Sequence, residues 1–356
     1  IDVTLFKDFS ATFDYFSEHR SNVLIGRQTI PDLQGLPGSA LPKINMGKVE
    51  NHGYEFTLAY HHVFNKDYSV NLGFNYSYSK NKVTEFDELV LQGNQYDEFG
   101  NVVEYGYAYT QRATGYSIGQ NWGYKIDHNI YYDESGNPIT DGSGFFNSQE
   151  NIDKLNRVYE IGQPSPGDFI YEDANGDGVI NDKDIQPIGY SSLNPRTIYG
   201  LTIGGQVKGF DISILFQGIS KFSRNYDGWG TNENMGAGGA YFDDQLYRWS
   251  KERYEAGEKI NRPRLGAGVS HIANDFWIMN ASYLRLKNVE IGYNFPQKWT
   301  KAIRAQSVRI YANGNNLFTW DHMRTNIYDP EQRRWDDMAG SYPVMRTFNI
   351  GLNVVF

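Results

Sequence analysis

The chain has no cysteine among its 356 residues, which excludes a disulfide framework and thiolate metal sites. It also lacks any run of about 18 apolar residues, so no transmembrane helix can be drawn from it. Lys and Arg form no cluster beyond short pieces such as Lys251-Glu252-Arg253, and the formal net charge is −9. That balance excludes nucleic acid as an expected partner. The seven His are scattered, and no H-E-x-x-H, G-x-S-x-G or glycine-rich phosphate loop occurs. Sequence alone cannot set two carboxylates at the separation that glycoside hydrolysis needs. The reading is a protein with no catalytic residues. Neither a start Met nor a leader precedes Ile1, so a processed or partial chain is expected.

What the chain has in quantity is aromatic. Tyr (27) and Phe (21) together outnumber Lys and Arg (33), and Gly is frequent (37), yet the mean hydropathy is polar. Strands with one apolar and one wet face produce that mixture. Residues 68–78 show it most clearly, with Tyr68, Val70, Leu72, Phe74, Tyr76 and Tyr78 on one face and Ser69, Asn71, Gly73, Asn75 and Ser77 on the other. Period-two alternation with a polar second face is the strand pattern. It recurs at 307–320 and 347–356, and further strands are expected at 1–6, 9–17, 53–64, 197–207, 210–219 and 282–295. The 282–295 segment changes phase near Lys287-Asn288, from Leu284/Leu286 to Val289/Ile291, which a β-bulge would reconcile.

The connections alternate in length. Lys7-Asp8, Asn65-Lys66-Asp67 and Lys208-Gly209 are short, 296–306 is of middling length, and 18–46, 83–195, 221–281 and 321–344 are long. In an up-and-down antiparallel sheet all the long links then share one side. Bacterial outer-membrane barrels have this asymmetry, with short periplasmic turns and long extracellular loops. A transmembrane strand needs only about 9–11 tilted residues. The competing reading, a soluble β-sandwich, fits poorly with strands of this length and with such long loops. The expected fold is therefore all-β, a transmembrane antiparallel up-and-down β-barrel with large extracellular loops at 84–195 and 221–281. Single-chain barrels of this kind carry even strand numbers. The odd count implies a chain that begins inside a barrel, so residues 1–356 are read as its C-terminal part.

Several stretches carry a family resemblance. Asn280-Ala281-Ser282-Tyr283-Leu284-Arg285-Leu286-Lys287-Asn288-Val289-Glu290-Ile291-Gly292-Tyr293 strongly resembles a signature of the SusC/RagA family of TonB-dependent outer-membrane transporters of Bacteroidetes. Gly47-Lys48-Val49-Glu50-Asn51, Pro166-Gly167-Asp168-Phe169-Ile170-Tyr171, Lys208-Gly209-Phe210-Asp211 and Asn313-Gly314-Asn315-Asn316-Leu317-Phe318 are similar to the same family in the same order, and the terminal Phe356 resembles the aromatic end of outer-membrane barrels. The resemblance implies a barrel of about 22 strands with a plugged lumen. It also implies a TonB box upstream, a SusD-like surface lipoprotein over the extracellular face, and a bacterial outer-membrane location with lipid around the strands. No candidate plug lies in this chain, so TonB would act through a missing N-terminal region.

Two loop motifs carry chemistry. In residues 173–184, Asp173, Asn175 and Asp177 place oxygen donors at positions 1, 3 and 5, with Gly178 at 6, the Val179 carbonyl at 7 and Asp184 at 12. That spacing matches an EF-hand-type Ca²⁺ loop, with Asp in the last place as in dockerin-type loops. The alternative is a polar loop held by Asx-turns. Structural Ca²⁺ is the expected cofactor. The second motif is the aromatic, Gly-rich stretch with Tyr226, Trp229, Asn232, Tyr241 and Phe242. Rings stack on sugar C–H faces and amides satisfy hydroxyls, so these are the expected ligand contacts, although peptide, a lid protein or self-packing would suit them too. Trp122, Trp277 and Trp320 read as girdle or loop-core residues. The expected function is TonB-dependent import of a bulky oligosaccharide or peptide with a SusD-like lipoprotein. The alternative is a passive channel or surface adhesin.

Overall fold

The computed structural model describes residues 1–30, 41–227, 243–266, 268–331 and 344–356. Nine antiparallel strands form one sheet in strict chain order. They are β1 (Asp2–Leu5), β2 (Phe9–Ile25), β3 (Ile44–Asn65), β4 (Tyr68–Glu85), β5 (Thr197–Val207), β6 (Phe210–Ser220), β7 (Tyr283–Asn294), β8 (Ser307–Asp321) and β9 (Thr347–Val355). Each lies where the alternation placed it. The short links turn tightly: Lys208 and Gly209 both take positive φ, 47° and 88°, as a two-residue hairpin turn following the sheet twist requires. A short helix, α1 (Gln297–Ala302), fills the middling link between β7 and β8.

The register explains why the sequence alternates. One row crosses eight strands as Val3–Ala11–Leu58–Phe74–Leu201–Phe216–Leu286–Phe318. The next residue along each strand gives Asp2–Thr12–Thr57–Asn75–Gly200–Gln217–Arg285–Thr319 on the opposite face. Among the described residues nothing covers the apolar face: Ile291 of β7 is 52% exposed and Phe318 is 55% exposed. A continuous apolar sheet face of this kind belongs against lipid, since soluble domains cover theirs. Aromatics gather toward both ends of the band, with Tyr54 against Tyr78 (5.3 Å) and Phe318 against Trp320 (6.3 Å) toward the long loops, and Phe210 against Tyr293 (4.6 Å) toward the turns. These are the girdle positions of a membrane barrel wall. Trp320 is thus a girdle residue, 54% exposed.

The bulge expected at Lys287-Asn288 is present. Leu286 and Asn288 pair with Phe216 and Leu215 on one side, while Lys287 is skipped in both ladders. Leu284/Leu286 and Val289/Ile291 thereby stay on one face. The strands reach further toward the long loops than the sequence reading set them: β2 runs on to Ile25, β3 starts at Ile44 and β4 runs to Glu85, so the link set at 18–46 shrinks to 26–43 and the one set at 83–195 begins at 86. Backbone pairing continues past the aromatic band, where both faces are wet and hydrophobic alternation stops marking the strand. Polar pairs such as Lys48–Glu85 (2.5 Å) sit there instead.

Candidate functional site: a cap built from three loops

The links at 86–196, 221–282 and 322–346 leave the same end of the sheet. The first two share one hydrophobic core. Tyr124, Ile126, Phe146, Tyr159, Phe169, Tyr171 and Ile180 of the first loop pack with Phe276 and Trp277 of the second. Tyr171 is fully buried; its hydroxyl donates to the Val269 carbonyl (2.8 Å) and accepts from Asn274 Nδ2 (2.9 Å). Burial pushes the Tyr159 and Tyr171 phenols up, so both stay neutral. Further bonds join the two loops: the Tyr124 N–H donates to the Ala273 carbonyl (2.9 Å), and the Phe169 N–H to Ser270 Oγ (3.1 Å). Asp168, also fully buried, accepts from Arg264 Nη2 (3.2 Å) and from the Ser165 N–H (2.8 Å). The Pro166–Tyr171 stretch singled out by resemblance is therefore the structural centre of the cap. Gly167 takes φ +94°, and a Cβ there would meet the Trp249 ring.

The third loop docks on both the cap and the sheet. Tyr328 stacks on Tyr226 with centroids 5.7 Å apart. Arg324 donates to the carbonyls of Phe276 (3.1 Å) and Asp275 (3.2 Å). Arg285 projects from the polar face of β7, is fully buried, and donates to Asp329, to Glu331 Oε2 (2.9 Å) and to Thr319 Oγ1 (3.0 Å). The Tyr283 hydroxyl also donates to Glu331. Sequence reading missed this anchor, although a lone Arg on the polar face of a membrane strand is itself a signal, since such a charge needs a partner.

The expected ligand contacts divide. Tyr226 is fully buried, donates through its hydroxyl to Met323 Sδ (3.2 Å) and through its N–H to the Trp277 carbonyl (2.9 Å). Burial pushes its phenol up. Its ring is packed into the cap between Met323 and Tyr328. Trp229, Asn232, Tyr241 and Phe242 lie outside the described residues. Trp277 is a loop-core residue, 2% exposed, and Trp122 meets Tyr116 edge-on at 4.7 Å.

The 173–184 loop is a series of Asx-turns. Asp173 Oδ1 accepts from the N–H groups of Gly176 (2.8 Å) and Asp177 (3.1 Å), and Oδ2 from Gly178 (2.8 Å). Asp177 Oδ1 accepts from the Val179 N–H (2.8 Å), and Asn175 Oδ1 from the Asp177 N–H (3.1 Å). Asp184 is buried and accepts from the N–H groups of Ala174 (2.8 Å) and Asn181 (2.9 Å). Burial raises its carboxyl, against the pull of those backbone donors. Among the described residues no three acidic or His side chains gather closely enough to hold a metal ion. The carboxylates are held by backbone N–H groups, each of which leaves lone pairs over.

No protein-family model matches the chain. Curated relatives do. TonB-dependent receptor P3 of Formosa agariphila is 27% identical over 376 residues, covering 100% of this chain and 33% of the relative. TonB-dependent receptor SusC of Bacteroides thetaiotaomicron is 26% identical over 319 residues, covering 88% of the chain and 27% of the relative. Among solved structures, the RagAB peptide transporter superposes with a TM-score of 0.59 at 19% identity, over 98% of this chain and 33% of that one. The same importer in its open-open state gives a TM-score of 0.59. The chain spans about a third of the length of these proteins. In sequence the chain is similar to part of these TonB-dependent receptors, and in fold to part of the RagAB transporter barrel. Within that class the SusC/RagA resemblance carried by the Asn280–Tyr293 stretch is borne out by both the sequence relatives and the fold. These relatives are named as receptors and transporters, in agreement with the reading that the chain is no enzyme.

Proposed function

We propose that this chain is the C-terminal wall and extracellular cap of an outer-membrane importer, which takes up a bulky nutrient, an oligosaccharide or a peptide, with a SusD-like surface lipoprotein and TonB. The observation that carries this reading is the pairing of an uncovered apolar strand face with loops that fold into a single body at one end. A passive channel needs no such cap, and its loops gain nothing by sharing a core. Purification of the full-length protein from detergent-solubilised outer membranes, followed by mass spectrometry of what accompanies it, is the test. Upstream plug peptides and a lipoprotein in equal amount are expected. Recovery without either would move the assignment to a passive channel or adhesin.

The 173–184 loop is proposed to bind Ca²⁺ as a stiffening ion rather than a reactive one. Support comes from the donor spacing and from the lone pairs that the Asp173, Asn175 and Asp177 oxygens keep after accepting their Asx-turn bonds. Calcium measured in the purified transporter should fall by one ion per chain in Asp177→Ala; an unchanged metal content would remove the proposal.

A further inference from the structure

The cap contains a cleft that the reading above does not use. It opens where the three loops meet, holds about 330 Å³, and is lined by Phe145 and Phe169 of the first loop, Asn261, Asp275 and Phe276 of the second, and Arg324 of the third. Each side offers a different chemistry. Phe145 is partly exposed and stacks on the buried Phe169 ring, which tilts against Phe276, both at 5.2 Å between centroids, so Phe145 backed by that core forms the aromatic wall. Asp275 accepts only the Ile126 N–H (3.1 Å), and among the described residues no cation pairs with its carboxylate. The Asn261 side chain has no hydrogen-bond partner among the described residues, and its Oδ1 is buried. Arg324 lies over the Phe276 ring at 5.1 Å and spends two N–H groups on backbone carbonyls, leaving donors of its five free.

These features select a ligand by charge. An anion would meet the Asp275 carboxylate, and a cation would meet Arg324. His128, the remaining titratable group on the rim, is hydrogen-bonded to the Gly142 carbonyl (3.1 Å). A neutral ligand with several groups that both donate and accept satisfies Asp275, Asn261 and Arg324 together, while a flat run of C–H groups suits the Phe wall. A pyranose ring has both. We propose that this cleft is a subsite for one neutral sugar ring, and that its filling fastens the third loop to the other two. Among the described residues of the third loop Arg324 alone lines this cleft, so a ligand bridging Arg324 to Asp275 adds bonds between segments otherwise joined here through backbone carbonyls. This inference deepens the import reading and rests on it for a nutrient at this end of the molecule.

The test uses the full-length transporter in detergent and methyl glycosides of glucose, galactose and mannose as probes, with a neutral tripeptide alongside. Saturation-transfer NMR should show ring C–H protons of at least one glycoside in contact with protein. Asp275→Asn and Arg324→Ala should each weaken that glycoside about tenfold, the loss of hydrogen bonds to a charged group. Hydrogen exchange at 323–331 should slow on adding the glycoside to the native protein and stay unchanged in Asp275→Asn. Retained heat-modifiable migration on gels shows that each variant has folded; Arg324→Ala removes an exposed side chain and keeps the test open should Asp275→Asn fail to assemble. No glycoside contact, contact by the tripeptide instead, or binding indifferent to both substitutions would overturn the proposal. Nutrient uptake by cells that persists when the cleft binds nothing removes this inference and leaves import standing. Sugar binding without any TonB-dependent uptake does the reverse.

Discussion

One guanidinium nitrogen of Arg285, Nη2, donates to both carboxylate oxygens of Asp329, 44 residues further along the chain, at 2.7 and 2.5 Å. Glu331 takes the other nitrogen, Nη1, at 2.9 Å, and Lys287 approaches Glu331 at 3.6 Å. Two cations and two carboxylates thus hold the third loop against the polar face of the sheet. Removing one member of a buried charge group leaves the others uncompensated, at about 3–5 kcal/mol. Arg285→Ala is expected to release residues 323–331 while the barrel still assembles. Hydrogen exchange read peptide by peptide checks this, and unaltered protection over 323–331 would refute it.

A second prediction concerns the bulge in β7. Lys287 is the residue that neither neighbouring strand pairs. Its deletion would move Leu284 and Leu286 to the wet face and bring Arg285 toward lipid, since a slip of one residue reverses every side chain. Arg at the lipid face costs roughly 2–4 kcal/mol near the midplane of a barrel, less toward its rim. Deletion of Lys287 should abolish heat-modifiable barrel in the membrane fraction. Lys287→Ala keeps the residue count and should assemble normally.

The cap core gives a third. Phe169 and Trp277 come from different loops and are 1% and 2% exposed. Replacing either with Ala should cost about 3–5 kcal/mol of local stability, felt in both loops at once. Limited proteolysis would then cut within 86–196 and 221–282 in either variant. Cleavage confined to the loop that carries the substitution would show that the two are separate bodies.

Asp275 yields a pH dependence. Burial raises its carboxyl above the ordinary 3.8, while the Ile126 N–H and the Arg324 charge pull the other way. A carboxyl raised by folding favours the folded cap in its protonated form. That contribution is complete below the unfolded value and is lost as pH climbs through the raised one. Asp275→Asn cannot ionise, so it should flatten this part of the profile and leave the cap at least as stable at neutral pH. Thermal melts of native and variant protein between pH 3 and pH 7 check the sign, and a variant less stable than the native protein only at pH 7 would contradict it.

How far the sequence discloses this molecule depends on whether a residue works locally. Strand positions report themselves, because alternation is enforced by lipid on one side and water on the other. The Leu286-to-Val289 phase change even locates the bulge. The ends of β2 and β3 beyond the aromatic band do not report themselves, since ladder bonds there are backbone bonds and any polar side chain will serve. The cap is harder still. Nothing beside Tyr226 in the chain announces its packing against Tyr328 and Met323, about a hundred residues away in sequence. Asp275, Asn261 and Arg324 fall in no motif, because the cleft they line exists only once three separate segments have docked.

The shared core of the two large loops constrains how such a protein can be re-engineered or can diverge. Tyr171 on one loop is satisfied by Val269 and Asn274 on the other, so neither loop is an independent cassette. A chimera that borrows only the 86–196 segment from a relative would inherit half an interior and strand the phenol of Tyr171 or its counterpart. Grafts that exchange both segments together keep the interior whole, which makes the pair the smallest unit in which a new specificity can be transplanted.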